Sequence, residues 1–275
     1  MKSVPNLMKC LYADKQVTYA SHYHNTHEIV YVKNGLAEFQ VGGKTYEAGS
    51  GTLVFISNME EHKTHILQGP YLRYFALFSS GQLITMAEDP LLCSVLLSRS
   101  ADFVHTLQVG EHAPQVESLL RRMAEESTSG RPFHHEQTAL LFKELLILCY
   151  RMAPQYFLQS FQKPNPVILD IQRYIDEHLD EKLTVNSLAQ NFFISESYLS
   201  HAFKNWTGFS PQRYLILNRL SLARELLASS DPSIEEIAAR CGFSTSSHFI
   251  ASFRKELGIT PRQFRHNLIH NTPTR

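Results

Sequence analysis

The sequence predicts an α+β chain of two domains, with a β-rich N-terminal part and an all-α C-terminal part. Three observations carry this. A length of 275 residues fits two domains of ordinary size. Residues 17–80 alternate short β-branched and aromatic segments with glycine turns. From Val167 onward, apolar residues recur at helical spacing almost without a break. Hydrophobic residues make up 43% of the chain, enough for packed cores and too many for a disordered chain.

The opening residues, MKSVPNLMKCLYADKQ, lack a continuous apolar run, so no secretory signal is expected. No apolar stretch reaches the ~20 residues that a membrane helix needs, so no membrane partner is expected. Cys10, Cys93, Cys149 and Cys241 are far apart and form no CxxC. That argues against a zinc ribbon or redox pair and for a cytoplasmic, reducing location. In EIVYVKNGLAEFQVGGKTYEAGSGTLVFISN, turns at Asn34-Gly35, Gly42-Gly43 and Gly49-Ser50-Gly51 separate the expected strands. The run YLRYFALF (71–78) is one more, and the set suggests a sandwich or small barrel.

After Ser80 the pattern turns helical. In FHHEQTALLFKELLILCYRMA (133–153), Leu140, Leu141, Leu145, Leu148 and Cys149 follow helical spacing, and Leu146 and Ile147 widen the apolar face. Two readings stand: packing on its own sheet, or a homodimer interface. APQYFLQSFQKPNP (153–166), with three prolines, reads as a linker. The expected divisions are 1–80 for the β domain, 81–160 for a helical connector and 165–270 for the C-terminal domain.

The C-terminal part holds an internal repeat. Ala189 matches Ala238 at an offset of 49. With one residue added in the second turn, which carries Gly242, the offset becomes 50: Phe193 with Phe243, Phe203 with Phe253, Gly208 with Gly258, Pro211 with Pro261. Each copy reads as a short helix, a tight turn and a second helix with Ser195 or Thr245 at its N-cap. That is a helix-turn-helix, whose second helix can enter a DNA major groove. One copy is a weak signal; two in tandem with a shared G-[FI]-[ST]-P-x-[QR] ending are a strong one.

The stretch RLSLARELLASSDPSIEEIAARCGFSTSSHFIASFRKELGITPRQFR (219–265) resembles the DNA-binding domain of the AraC/XylS family of bacterial transcription regulators. PQRYLILNRLSLARELL (211–227) resembles that family's linker helix, about 25 Å long at ~1.5 Å per residue. Such a spacer suits recognition helices in successive major grooves, about 34 Å apart. The resemblance implies base readers at Ser197, Ser200 and His201 and at Ser246, Ser247, Ile250 and Ala251. Arginine is common in the family where this chain has His201 and Ala251. Few guanines are therefore read directly, leaving serine bonds, thymine-methyl contacts and DNA shape. Lys204, Arg254, Lys255 and Arg262 are candidates for phosphate contacts.

Near the N-terminus, HYHNTHE opens the pattern His22-x-His24-x3-Glu28-x6-Gly35, the first metal motif of the cupin barrel. The second cupin motif needs a ligand histidine where this chain has Val54, in Gly43-x5-Gly49-x-Gly51-x2-Val54-x3-Asn58. Valine cannot ligate a metal. His62 and His65 lie nearby, and one could substitute as a ligand, though at a spacing unlike the ordinary arrangement. No metal or other cofactor is expected, and His22, His24 and Glu28 stay weak metal candidates. AraC-family sensor domains resemble cupins, which makes the N-terminal part a cupin-like β-barrel. Its effector-pocket candidates are His22, His24, Glu28, Tyr31, Phe39, Phe55 and Phe75.

Net charge is +0, and residues 165–275 carry 12 Lys+Arg against 11 Asp+Glu. DNA binding must therefore come from local charge placement. The reading is a DNA-binding transcription regulator, not an enzyme. The resemblance implies a small-molecule effector, often a sugar, activation through RNA polymerase, and a homodimer. The alternative is a metal-dependent cupin enzyme or metal sensor fused to a DNA-binding domain.

Overall fold

The computed structural model describes residues 8–16, 19–97, 102–158, 165–228 and 232–270, which form two compact units, 1–165 and 166–275.

The first unit is built on one seven-stranded antiparallel sheet. Two long strands, β3 (His27–Val41) and β6 (His62–Phe78), pair along their whole length. β1 (Lys9–Ala13) extends β6, β5 (Thr52–Ile56) extends β3, and β7 (Thr106–Gln108) follows β5. β2 (Tyr19–His22) and β4 (Lys44–Gly49) flank the far ends of β6 and β3. Gly42 and Gly43, at φ 56° and 80°, form the two-residue hairpin between β3 and β4, where glycine is free of the Cβ penalty.

The expected turn at Asn34-Gly35 is instead a bulge inside β3, with register shifts between Val32 and Ala37. At Gly35, with φ 90°, a Cβ would lie 2.7 Å from the Gln68 carbonyl oxygen and 2.8 Å from that of Pro70. Only glycine lets β6 pass this closely. YLRYFALF is likewise not a separate strand but the second half of β6.

The bulge changes which side chains face inward. Before it, Val30 and Val32 face an inner core; after it, Ala37, Phe39 and Val41 do. The opposite face, carrying Ile29, Tyr31, Leu53 and Phe55, packs against helices α1 (Ser80–Ala87), α2 (Pro90–Leu97), α3 (Ala113–Ser129) and α4 (His134–Met152). Of the apolar residues expected on α4, Leu141, Leu145, Leu148 and Cys149 enter that core, while Leu140 is 63% exposed. The presumed linker begins inside this unit: α5 (Gln155–Leu158) buries Phe157, and the rest of the segment to 164 lies outside the described residues.

The second unit is all helical: α6 (Pro166–Glu177), α7 (Val185–Asn191), α8 (Glu196–Thr207), α9 (Pro211–Ala228), α10 (Ile234–Arg240), α11 (Ser246–Leu257) and α12 (Pro261–His270). Ser195 Oγ accepts from the Tyr198 amide at 3.2 Å and Thr245 Oγ1 from the His248 amide at 3.1 Å, as N-caps do. Gly208 and Gly258 close the same two helices in the left-handed region.

The turns correct the repeat alignment. Ile194 N donates to the Ala189 carbonyl, and Phe243 N donates to that of Ala238. Phe193 (φ 55°) therefore matches Gly242 (φ 72°), and the added residue is Ser244 rather than one at Gly242. The pairing of Phe193 with Phe243 came from matching residue types; the backbone pairs two left-handed positions instead. Gly242 has no alternative, since a Cβ there would overlap the Leu179 carbonyl and sit 2.8 Å from Arg219 Nη2. Phe193 points into solvent, 96% exposed, and bears only backbone strain.

α6 meets α9 through a polar chain: Gln172 Nε2 donates to Tyr214 Oη at 3.0 Å, and Tyr214 Oη donates to Asp176 Oδ1 at 3.0 Å. Burial pushes the Asp176 carboxyl from 3.8 up to about 8, against the opposing pull of the Tyr214 hydrogen bond.

Two outcomes follow from these features. Phe193→Gly should stabilise the helical unit by about 1 kcal/mol by relieving the left-handed strain, while Gly242→Ala should destabilise it by about 3 kcal/mol or more; denaturant titration reads both. The raised Asp176 pKa means the folded chain holds a proton that the unfolded chain releases, so stability should fall as pH rises from about 4 to about 8. Asp176→Asn should remove that slope, melting above the parent at pH 8 and with it at pH 4.

Candidate functional site

The two recognition helices present matching faces. On α8, Leu199 and Phe203 are buried, which turns Ser197, His201 and Lys204 into solvent and leaves Ser200 half-buried beside them. These four stand at i, i+3, i+4 and i+7, one stripe of a helix. On α11, Phe249 and Phe253 are buried, and Ser247, Ile250, Ala251 and Arg254 form the same stripe. Ser247, Ile250, Ala251, Arg254, Lys255 and Thr260 line one surface groove. Ser246 is half-buried at the first turn and lies off that groove, and Arg262 is exposed on α12. Thr260 is a groove residue that sequence reasoning did not single out.

Between the recognition helices runs α9, with Tyr214, Leu217, Asn218, Leu220, Ser221 and Ala223 all buried. Arg219 on this helix donates from Nε to the Leu179 carbonyl at 2.9 Å and from Nη2 to the Glu181 carbonyl at 2.6 Å. Its guanidinium also lies 5.8 Å from the Phe243 ring centroid in the second turn. The charge is used up inside, so Arg219 is a structural cation and not a DNA contact. Arg213 Nη2 similarly donates to Glu256 of α11 at 2.8 Å.

The sheet unit holds a half-open cleft of about 160 Å³ on its inner face. His22, His24, Glu28, Phe39 and Phe75 line it as expected from their positions, together with Val30, Ile56, His62, Thr64, Tyr71, Arg73 and Leu77. Tyr31 and Phe55 do not. The register pairs Ile29 with Phe55 and Val30 with Val54, so odd-numbered residues here face the helices. Phe39 shares Tyr31's parity but lies beyond the bulge at Gly35, which exchanges the faces.

Of the two possible substitute ligands, the register brings in His62: β2 pairs with β6, and His22 stands directly opposite His62. His65 is on the exposed side of the same strand. His24 Nδ1 donates to the Thr26 carbonyl at 2.8 Å, and its Nε2 lies 3.2 Å from Glu28 Oε2. Burial works against the Glu28 carboxylate, but the His24 and His62 imidazoles outweigh it and hold its pKa well below the usual range. Burial also works against a charged His62, and Glu28 overcomes that too, raising its pKa.

Arg73, 6% exposed, is the cleft's other cation; its Nη1 donates to the Lys15 carbonyl at 3.2 Å, and its guanidinium lies 4.9 Å from the Tyr71 ring centroid. An arginine inside the apolar alternation Tyr71-x-Arg73-x-Phe75-x-Leu77 was a readable signal of a polar lining.

Twin capped helices presenting cationic, small-residue faces from one rigid axis make the second unit a DNA-binding module. A separate sheet unit with a polar cleft completes the class: a regulator that joins ligand binding to DNA binding. Comparison with known proteins bears on both units. Residues 8–143 match the AraC-like ligand binding domain model, and residues 188–267 match a helix-turn-helix domain model. The HTH-type transcriptional activator RhaS of Enterobacter sp. (strain 638) is 29% identical over 261 residues, 91% of this chain and 88% of that protein. RhaS of Salmonella schwarzengrund (strain CVM19633) is 28% identical over 259 residues, with the same shares covered. The fold is also that of ToxT from Vibrio cholerae: TM-score 0.62 at 14% identity, covering 94% of this chain and 97% of that one. A second ToxT structure, with unsaturated fatty acid bound, gives TM-score 0.61 at 13% identity, covering 94% of each.

The chain belongs to the AraC/XylS family of transcription regulators. It is a DNA-binding regulator rather than an enzyme, and among the described residues no helix is long and apolar enough to cross a membrane.

Proposed function

We propose that this chain is a cytoplasmic, effector-responsive transcription activator that reads promoter DNA through α8 and α11. The observation that carries the reading is the repeated solvent stripe on these helices, each ending in a cation. Ser197, Ser200 and His201 read one major groove. Ser247, Ile250 and Ala251 read the next, and Ser246 at the first turn of α11 stands near the backbone. Lys204, Arg254, Lys255 and Arg262 neutralise phosphates. With histidine and alanine where guanine-reading arginines would stand, the operator is recognised through thymine methyls, serine bonds and DNA shape. Activation rests on the likeness to RhaS, an HTH-type transcriptional activator, and contact with RNA polymerase is the route such activation would take.

The sheet unit, about 1–80 with helices over 81–160, serves as sensor and connector, and the DNA-binding domain spans about 165–270. A cleft of 160 Å³ suits one small ring, since a cavity of ~150 Å³ holds benzene. Its histidines, Glu28, Thr64 and Arg73 call for a ligand rich in hydroxyls, which supports a sugar or related metabolite. Homodimerisation through the outer face of α4, where Leu140 is exposed, would let the effector act by favouring one dimer arrangement.

Binding to operator fragments tests the DNA half. Ala251→Asp should cost at least 100-fold by placing a carboxylate in the groove. His201→Ala should cost about 1–3 kcal/mol and relax sequence preference locally. Arg254→Ala should weaken binding to all sequences and lower the salt slope by about one. Unchanged binding by all three variants would place the interface elsewhere. A thermal-shift screen of monosaccharides and small metabolites tests the sensor half: a cognate ligand at 100 times its Kd should add about 2.7 kcal/mol. A full panel without any shift, and without effect on operator binding, would leave the sheet unit a structural or oligomerising part.

A further inference from the structure

We propose that the cleft holds a first-row divalent transition-metal ion between His22, His24 and His62, with Glu28 as the anionic ligand. The three histidines each offer a ring nitrogen, and these atoms lie within 4.8 Å of one another. Glu28 Oε2 sits 3.2 Å from His24 Nε2 and 3.6 Å from His62 Nε2. Ligands at 2.0–2.1 Å from a tetrahedral ion stand about 3.4 Å apart, and these two separations bracket that figure.

The outer contacts prepare the same atoms. His24 Nδ1 and His62 Nδ1 each donate to a backbone carbonyl, of Thr26 and Glu60, at 2.8 Å. With Nδ1 on a carbonyl, each Nε2 is the ring atom turned toward Glu28 and the cleft, the second-contact arrangement that metal-bound imidazoles use. His62 is 3% exposed, and its Nε2 has no hydrogen-bond partner. Glu28 Oε2 lies 3.6 Å from that atom, too long for a good hydrogen bond and a spacing at which both atoms can ligate one ion.

The donor set is this chain's own. Val54, where a cupin would carry a ligand histidine, pairs with Val30 on β3, and the third imidazole comes from β6 instead. Three imidazoles and one carboxylate select zinc, nickel, cobalt or iron(II) over magnesium and calcium. The ion goes beyond the sensor reading: with the histidines and Glu28 engaged on it, a metabolite in the same cleft would meet the ion, Thr64 and Arg73.

The test is a titration of tag-free, EDTA-treated full-length protein with Zn²⁺, Ni²⁺ and Co²⁺ at pH 7.5, followed by calorimetry and by metal analysis after dialysis. One ion per chain with a Kd of about 1 µM or tighter is expected, with no response to Mg²⁺ or Ca²⁺. His24→Ala and His62→Ala should each weaken uptake at least tenfold, while His65→Ala, altering an exposed neighbour on the same strand, should not. Operator binding and circular dichroism report whether each variant is folded; if His62→Ala is not, the parent titration and His24→Ala decide. No saturable binding by the parent protein below 100 µM would overturn the proposal, as would uptake that survives in folded His24→Ala. A protein that takes no metal yet melts higher with a metabolite sinks the ion and keeps the sensor; one that takes metal but ignores every metabolite does the reverse.

Discussion

The geometry of the DNA-binding unit depends on burial of α9. A helix with Tyr214, Leu217, Asn218, Leu220, Ser221 and Ala223 all inside cannot slide or rotate without opening both neighbouring cores. Phe203 of the first recognition helix stacks edge-on to Tyr214 at 5.4 Å, and Ile237, Phe249 and Phe253 of the second motif pack with Leu220, Ala223 and Leu227. One rod thus carries two reading heads. Arg219 ties the rod to the loop before α7 and to Phe243 in the second turn, which is why Gly242 must lack a side chain.

The sheet unit depends on a comparable local constraint. Gly35 lets β3 bulge where β6 crosses closely, and the bulge exchanges inner and outer faces along a single strand. A sheet buried on both sides needs apolar residues at consecutive positions, and β5 is buried at every residue. The polar residues of the inner face are gathered at one place: His22, His24, Glu28, His62 and Arg73 all border the same cleft. The cleft is therefore a polar site in an apolar shell, where charge interactions are weakly screened.

Near-neutral overall charge and a DNA-binding role are compatible because the cations are spent unequally. Arg213 and Arg219 are used in ion pairing and carbonyl contacts within the unit. Lys204, Arg254, Lys255 and Arg262 stay exposed, the first three on the recognition helices. Affinity then depends on a few well-placed contacts rather than on a broad positive field.

Much of this was legible in the sequence. The tandem repeat and the N-caps at Ser195 and Thr245 follow from local spacing, a property of the chain itself, while the base-reader candidates came from the family resemblance. The class of protein came with them. What sequence alone could not decide involved contacts between distant segments. The faces of Tyr31 and Phe55 turned on a bulge that the Asn34-Gly35 dipeptide disguised as a turn. His62 entered the cluster through pairing of β2 with β6, forty residues apart in the chain (His22 to His62). Phe193 took the place of a glycine because nothing packs above it, whereas Gly242 lies under Arg219 and the Leu179 carbonyl. Residue type and period set each element; strand register and close approach set which side chains meet, because those depend on atoms that only the folded chain brings together.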